Sequence, residues 1–238
     1  MTWSILALDP ATGALGVAVA TRFFAVGAVT PRVEGGVAAL ATQALVNPIL
    51  GIEGMARLRQ GGAPAAVMAA LLEADAGQAH RQFHILSAAG EVAQHTGAHC
   101  IPWSGHVAGP GVSVAGNMLA GPQVVEATRD AFLATAGLPL EERLLAALEA
   151  GEAAGGDKRG RQSAALQVAT RDPYPDLDIR ADDHPDPLAE LRRLHAVAQR
   201  RFVHFRRFLA GTDHPGVFDR AVLEAAIARD IARRDTGA

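Results

Sequence analysis

The chain has little of two residues that define particular kinds of site. Among its 238 residues it contains one cysteine, Cys100. An intrachain disulfide and a zinc site built from several cysteines are therefore excluded. It also contains one lysine, Lys158, so Schiff-base chemistry must use this residue or none. Lys158 lies in a glycine-rich, charged segment, and we interpret it as part of a solvated surface loop.

The charge and the apolar runs exclude further classes of protein. The net charge is −3, without the basic excess of a nucleic-acid-binding domain, so we expect no nucleic-acid partner. No apolar stretch is long enough to span a bilayer without a charged, glycine or proline interruption. The start of the chain has no basic segment followed by a cleavage site. We therefore expect a cytoplasmic protein without a membrane partner.

The order of the predicted elements indicates the fold class. Strands are predicted at 3–8, 15–21, 26–30, 36–43, 82–87, 91–96, 163–170 and 177–182, and helices at 48–60, 64–74, 122–135, 139–154, 186–209 and 215–234. The glycine- and proline-rich segment 101–115 is predicted to be a loop. Strands and helices occur in pairs rather than in single alternation, which favours an α+β fold of two antiparallel sheets covered by helix pairs.

The composition also predicts the division of the chain. A hydrophobic content of 49% allows one large domain with a sizeable core. A turn-rich segment at 212–216 separates the end of the chain, so we predict a domain over 1–210 and an accessory helical tail over 211–238. The predicted helix before the turn mixes leucine and valine with several arginines, and we expect it to form a subunit interface in a homodimer or a higher homo-oligomer.

Thr2 follows Met1 and directly precedes the first predicted strand, 3–8. Removal of Met1 would give Thr2 a free α-amine, which can take the proton of its own hydroxyl. This is the chemistry of hydrolases with an N-terminal nucleophile (Ntn hydrolases). By itself the pair Met-Thr is also an ordinary start of a chain followed by a strand.

Several motifs together resemble an uncharacterised bacterial family, a domain of unknown function with an Ntn-hydrolase-like fold. They include Thr2-Trp3-Ser4-Ile5, Ala41-Thr42-Gln43, His95-Thr96-Gly97, Gly116-Asn117, Gly160-Arg161-Gln162-Ser163-Ala164 and Asp182-Asp183-His184-Pro185. The resemblance covers roughly residues 2–200. It implies a four-layer αββα sandwich and a hydrolase ancestry, and it supplies no substrate.

In such a sandwich Thr2 would lie at the open end of the cleft between the sheets and attack an amide carbonyl. The negative oxygen that forms needs hydrogen-bond donors, and the side chains of Gln43 and Asn117 are candidates. Each of them is equally well interpreted as a buried amide that satisfies backbone groups. His95, at the end of a predicted strand, is expected to face the same cleft.

Two arginines are candidates for substrate binding. Thr21 and Arg22 end the strand that partners the first one, and Arg22 can either orient a substrate carboxylate or form a surface ion pair. Arg161 follows a glycine and suits carboxylate or phosphate recognition. The chain departs from the proteasome-like branch of the fold, because no lysine precedes Lys158. Arg32 stands roughly where that lysine would be sought, and an arginine cannot act as a base.

Two clusters offer other chemistry. Asp182, Asp183 and His184 could hold a divalent cation, but helix capping and a turn explain them better. His95, His99 and Cys100 fit a thiol nucleophile or a metal site, although a small buried cysteine is the commoner outcome. We therefore predict no metal and no cofactor.

The sequence thus predicts an amidohydrolase of the Ntn type acting on a small amide, lactam or peptide-like molecule. Its nucleophile is Thr2, and the cleft is lined by Gln43, His95 and Asn117. The alternative is a non-catalytic protein that keeps the sandwich and binds a small ligand in its cleft.

Overall fold

A computed structural model describes residues 2–235 of the chain. The strands in chain order are β1 (Thr2–Leu8), β2 (Leu15–Thr21), β3 (Pro31–Glu34), β4 (Ala38–Ala44), β5 (Arg81–Ser87), β6 (Val92–Thr96), β7 (Gly105–Gly109), β8 (Val112–Asn117), β9 (Ser163–Ala169) and β10 (Leu177–Ala181). The helices are α1 (Pro48–Arg59), α2 (Pro64–Ala74), α3 (Gln123–Ala134), α4 (Leu140–Ala153), α5 (Pro187–Arg200), α6 (Phe202–Phe205) and α7 (Arg220–Asp235).

The strands form two sheets. The large sheet has six strands in the order β10-β9-β2-β1-β8-β7, and the small sheet has four in the order β3-β4-β5-β6. Every neighbouring pair is antiparallel. The predicted pair of antiparallel sheets is therefore confirmed.

The sheets pack face to face and the helices cover their outer surfaces. Between the sheets, β2 contacts β3, β1 contacts β4 and β8 contacts β5. On the outside, α4 packs on β1 and β2, and α3 packs on β7 and β8. The helix α1 packs on β3 and β4, while α2 packs on β5 and β6. This arrangement is the four-layer αββα sandwich that the sequence predicted.

Small side chains in the central strands explain how closely the layers approach. All seven residues of β2 are buried, as expected for a strand covered on both faces. A Cβ atom at Gly16 would lie 2.6 Å from Leu144 Cδ1, so α4 can approach this strand only where the side chain is absent. The apolar core between the sheets includes Leu6, Val17 and Leu86.

The segment 26–30 differs from its prediction. It was expected to be a strand and instead forms a short 3₁₀ turn at Val26–Ala28. Ala25 before it has a φ of 52°, in the left-handed region, which turns the chain out of the extended direction. The Ser163 hydroxyl accepts a hydrogen bond from the Val26 N–H and holds the turn against β9.

The segment 101–115 also differs from its prediction. It was expected to be a loop, and most of it belongs to the hairpin of β7 and β8. Gly111, with a φ of 65°, makes the connection between the two strands. Glycine and proline at this connection and at the ends of β7 gave the segment the composition of a loop.

The chain divides into two compact units, one that ends at Leu191 and one that begins at Arg192. Within the second unit, α6 packs on α7, and the Arg201 guanidinium donates to the Glu224 carboxylate at 2.8 Å. The predicted boundary near residue 210 and the predicted oligomer stay predictions. No helix of residues 2–235 is long and apolar enough to cross a membrane.

Candidate active site

Three of the predicted site residues meet where the central strands of the large sheet begin or end. Thr2 begins β1 and is the register partner of Asn117, which ends β8. Thr21 ends β2, on the other side of β1. The Thr2 hydroxyl donates a 3.2 Å hydrogen bond to the Thr21 hydroxyl, and both residues are buried. The strand ends thus gather two hydroxyl groups and a carboxamide around the start of the first strand.

The Thr2 side chain faces the cleft between the sheets. Side chains alternate along a strand, and Trp3 points to the helix layer, because a Cβ at Gly151 in α4 would lie 2.8 Å from its Nε1. Thr2 and Ser4 therefore point the other way, and the Ser4 hydroxyl donates to Gln43 Oε1 in the small sheet at 2.7 Å. This is the orientation that the predicted nucleophile requires.

A cavity of about 250 Å³ opens at this end of the sandwich. It is smaller than the roughly 300–1,000 Å³ of most ligand pockets, so it suits a small molecule. Asn117, the register partner of Thr2 on the neighbouring strand, is one of the residues that form its wall. The lining residues are Ala44, Leu45, His80, His99, Cys100, Ile101, Asn117 and Met118.

Unusual backbone conformations gather at the same end. Among residues 2–235, the non-glycine residues with positive φ are Ala25, Ala44 and Met118. Ala44 and Met118 line the cavity, and Ala25 follows the end of β2. Each such residue costs about 1–3 kcal/mol, and such residues cluster at ligand sites. Their position favours this end of the sandwich as the functional end.

A fully buried glutamine of β5, Gln82, fixes the direction of the hydrogen bonds beside the cavity. Its Nε2 lies 3.0 Å from the Gly105 carbonyl and 2.8 Å from the Gly116 carbonyl. Carbonyl oxygens only accept, so the Oε1 of Gln82 must point the other way. It accepts from Gln43 Nε2 at 2.8 Å and from Asn117 Nδ2 at 3.0 Å.

The two candidate oxyanion donors, Gln43 and Asn117, differ in how fully their N–H groups are used in hydrogen bonds. Gln43 donates its two N–H groups to Gln82 and to the Ala115 carbonyl, so both are occupied. Asn117 donates to Gln82 and makes a long 3.4 Å contact with the Thr2 carbonyl. Gln43 therefore belongs to the framework that joins the sheets, and Asn117 is the amide beside the threonine.

The thiol in the cavity wall is not set up as a nucleophile. Cys100 Sγ donates to the Arg81 carbonyl at 3.3 Å, and burial raises the pKa of the thiol above its usual range. A nucleophilic cysteine needs the opposite shift. Beside it, the His80 and His99 rings lie 4.8 Å apart, with His99 Nδ1 and His80 Nε2 separated by 3.4 Å.

His95 lies on the opposite face of the small sheet from the one that we expected. It is the register partner of Phe83, and Phe83 packs in the core beneath α1 and α2. Paired residues share a face, so His95 also points to the helix layer, where its Nε2 donates to the Gln78 carbonyl at 2.9 Å. Its neighbour Thr96 faces the cleft instead and bonds to Gln82.

Arg22 and Arg161 line a second cavity of about 290 Å³, together with Gln162, Asp183, His184 and Pro185. The Gln162 N–H donates to the Thr21 carbonyl, so this cavity lies on the β9 side of the threonine pair. Arg161 forms ion pairs with Glu152 and Asp186. Arg22 donates to the Arg159 carbonyl. Both arginines therefore already have partners within the chain.

The structure separates the other basic candidates from Thr2. Lys158 Nζ donates to the Pro102 carbonyl at 2.8 Å and is exposed, which ties two loops together. Arg32 lines another cavity, beside Glu34 and Arg59 of the small sheet and α1. Neither residue contacts the Thr2 hydroxyl.

The acidic cluster near β10 makes contacts typical of a turn and a helix cap. Asp182 pairs with Arg180 at 2.8 Å, Gln162 donates to Asp183, and Asp186 accepts from the Ala189 N–H in the first turn of α5. Among residues 2–235, no three histidine, cysteine, aspartate or glutamate side chains are grouped to hold a metal ion.

Sequence reasoning missed the polar residues of β5 and β6 that face the large sheet. They are Gln82, His84, Gln94 and Thr96. The signal was present, because polar residues at alternate positions of two adjacent strands share one face. Burial lowers the pKa of His84 to about 3, so its ring is neutral and contributes hydrogen bonds without charge.

The fold and this end of the cleft define the class of the protein. It is a four-layer αββα sandwich whose first strand begins among buried polar side chains, beside a small cavity. The model of a family of unknown function, DUF1028, matches residues 2–191. The chain belongs to this family. The match ends at the residue where the first compact unit ends.

The solved structures include a member of the same family from Silicibacter pomeroyi. It is 34% identical to this chain, with a TM-score of 0.84, over 92% of this chain and 99% of that one. Anbu (ancestral beta-subunit) from Yersinia bercovieri matches at 11% identity and a TM-score of 0.37, over 84% of this chain and 94% of that one. No curated protein matches the chain.

Proposed function

We propose that the protein is an amidohydrolase that uses Thr2 as an N-terminal nucleophile on a small amide, once Met1 has been removed. The position of Thr2 carries the proposal. It begins the first strand, points into the cleft and is held by Thr21 and Asn117, next to a cavity for a small molecule. Met1 lies outside the described residues.

The chemistry follows from these groups. The free α-amine takes the proton of Thr2 Oγ1 while the oxygen attacks the amide carbonyl. The C–N bond then breaks, the leaving amine takes the proton from the α-ammonium, and the acyl group stays on Thr2 as an ester that water hydrolyses. Among residues 2–235, Asn117 Nδ2 has only the long 3.4 Å contact with the Thr2 carbonyl for its second hydrogen. This hydrogen is the donor that we assign to the developing oxyanion.

The test begins with the intact mass of the natively expressed protein, which shows whether Met1 is removed. Turnover is then measured with the p-nitroanilides of acetic, butyric and hexanoic acid. Thr2→Ala should lower kcat/KM by about a thousandfold or more, and Thr2→Ser should restore part of it. Thr12→Ala, at an exposed turn, is the matched control. Retention of Met1 in the active protein would refute the mechanism.

The alternative is a protein that binds a small ligand without turning it over. One observation favours it: among residues 2–235, the Thr2 hydroxyl has only the Thr21 hydroxyl as a hydrogen-bond partner, so no carboxylate or imidazole activates it. In that case the Thr2→Ala variant would bind ligand as the unsubstituted protein does, and neither protein would form an acyl adduct detectable by mass.

A further inference from the structure

The carboxamide of Asn117 has one polar atom without a partner in the described chain. Its Nδ2 contacts Gln82 and Thr2, and no described group donates to its Oδ1. The residue is only 2% exposed and lines the cavity of about 250 Å³. Oδ1 is not one of the fully buried polar atoms without a partner, of which Trp3 Nε1 is an example, and we take the cavity that Asn117 lines as the space that Oδ1 faces.

The orientation of this amide is fixed by the groups behind it. Gln82 must present Oε1 to Asn117, because its Nε2 is directed at the carbonyls of Gly105 and Gly116. If the Asn117 amide were rotated by 180°, two oxygen atoms without a hydrogen would face each other at 3.0 Å. Asn117 therefore presents a hydrogen-bond acceptor to the cavity.

We infer that Asn117 Oδ1 accepts a hydrogen bond from an N–H group of the molecule that occupies the cavity. The ligand class is then a small amide that carries an N–H, in preference to an ester of the same shape. A buried acceptor that is left unpaired disfavours the ester. This inference rests on the proposed function only in taking the cavity as the substrate site, and it holds equally for a binding protein.

The test compares two probes that differ only in an N–H replaced by oxygen, N-cyclopentylacetamide and cyclopentyl acetate. Their affinities are measured by NMR titration on the Thr2→Ala protein, so that neither probe is turned over. We expect the amide to bind at least about tenfold more tightly. Equal affinity, tighter binding of the ester or no binding of the amide would overturn the inference. The same results are expected if the α-amine of residue 2 already donates a hydrogen bond to Asn117 Oδ1.

A substitution at the acceptor gives the second measurement. In the Thr2→Ala background, Asn117→Leu keeps the approximate size of the side chain and should remove the preference for the amide. Gln167→Leu, in a strand away from this cavity, should keep it. A preference that persists in Asn117→Leu would overturn the inference. If this variant fails to fold, the probe comparison decides alone. Absence of p-nitroanilide turnover would refute the proposed hydrolase. It would not change the comparison of the two probes or the effect of Asn117→Leu.

Discussion

The Ser4 hydroxyl lies 2.8 Å from Nε2 of His84, the spacing of a serine activated by a histidine. The proton of the Ser4 hydroxyl is nevertheless donated to Gln43 and not to His84. Gln43 Oε1, 2.7 Å away, can only accept, because both N–H groups of that amide are used. His84 Nε2 therefore donates to Ser4, and its Nδ1 accepts from the Ser113 hydroxyl at 2.9 Å. The pair is part of a buried network that joins the sheets.

Ser4→Ala should therefore lower stability and leave the site intact. The substitution leaves the His84 N–H and the Gln43 Oε1 without partners in the core, at a cost of about 1–3 kcal/mol in the free energy of unfolding. Urea unfolding measures this loss, and the p-nitroanilide assay measures activity. Lost turnover at unchanged stability would instead identify Ser4 and His84 as a catalytic pair.

The buried His84 ring should make stability depend on pH. Burial, with a smaller effect of the charge on His106, lowers its pKa from 6.5 to about 3. Between these values the unfolded chain binds a proton that the folded chain does not. Stability should therefore fall as the pH falls from 6.5 towards 3, by up to about 1.4 kcal/mol per pH unit. Urea unfolding at several pH values measures the slope.

His84→Gln is the matched variant for this slope. Glutamine keeps one donor and one acceptor but does not titrate, so the variant should lose this part of the pH dependence. A slope as steep in His84→Gln as in the unsubstituted chain would assign the effect to other groups, such as carboxylates whose pKa is lowered by an ion pair. Asp75 beside Arg81 is one of these.

Cys100 should react slowly in the folded chain. Its thiol is buried, donates to the Arg81 carbonyl and has a raised pKa. Because it is the one cysteine, reaction with a chromogenic disulfide reports on it alone. We expect a rate at least about tenfold lower in the folded chain than in urea. An equal rate would show that the thiol is accessible and reactive in the cavity wall.

The sequence predicted most elements because their signals were local. The apolar runs gave β1 and β2, and Pro48 and Pro64 marked the first residues of α1 and α2. The hairpin of β7 and β8 was missed although its turn is local, and β8 also pairs with β1, about a hundred residues earlier in the chain. Its own glycines and proline are typical of a loop.

The site was predictable where it depends on strand ends. Thr21 ends a predicted strand and Thr2 directly precedes another, so antiparallel pairing of these strands brings the two residues together. Asn117 joins them through β8, a strand that was not predicted. His95 required the register of β6, and a shift of one residue turns a side chain to the other face. The role of Gln82 was beyond reach, because its partners Gly105 and Gly116 lie in strands of the other sheet.

Gly97 should control the cavity wall that carries His99 and Cys100. A Cβ there would overlap the Ala79 carbonyl, which accepts the His99 N–H at 2.7 Å. Since backbone must move to relieve the overlap, Gly97→Ala should cost about 1–3 kcal/mol of stability and weaken binding of N-cyclopentylacetamide. Gly137→Ala is the matched control, because no atom lies within 4 Å of its added Cβ, and stability should change by less than about 0.5 kcal/mol. Urea unfolding and NMR titration separate the two effects. Unchanged probe affinity in a destabilised Gly97→Ala protein would show that this loop forms no part of the binding site.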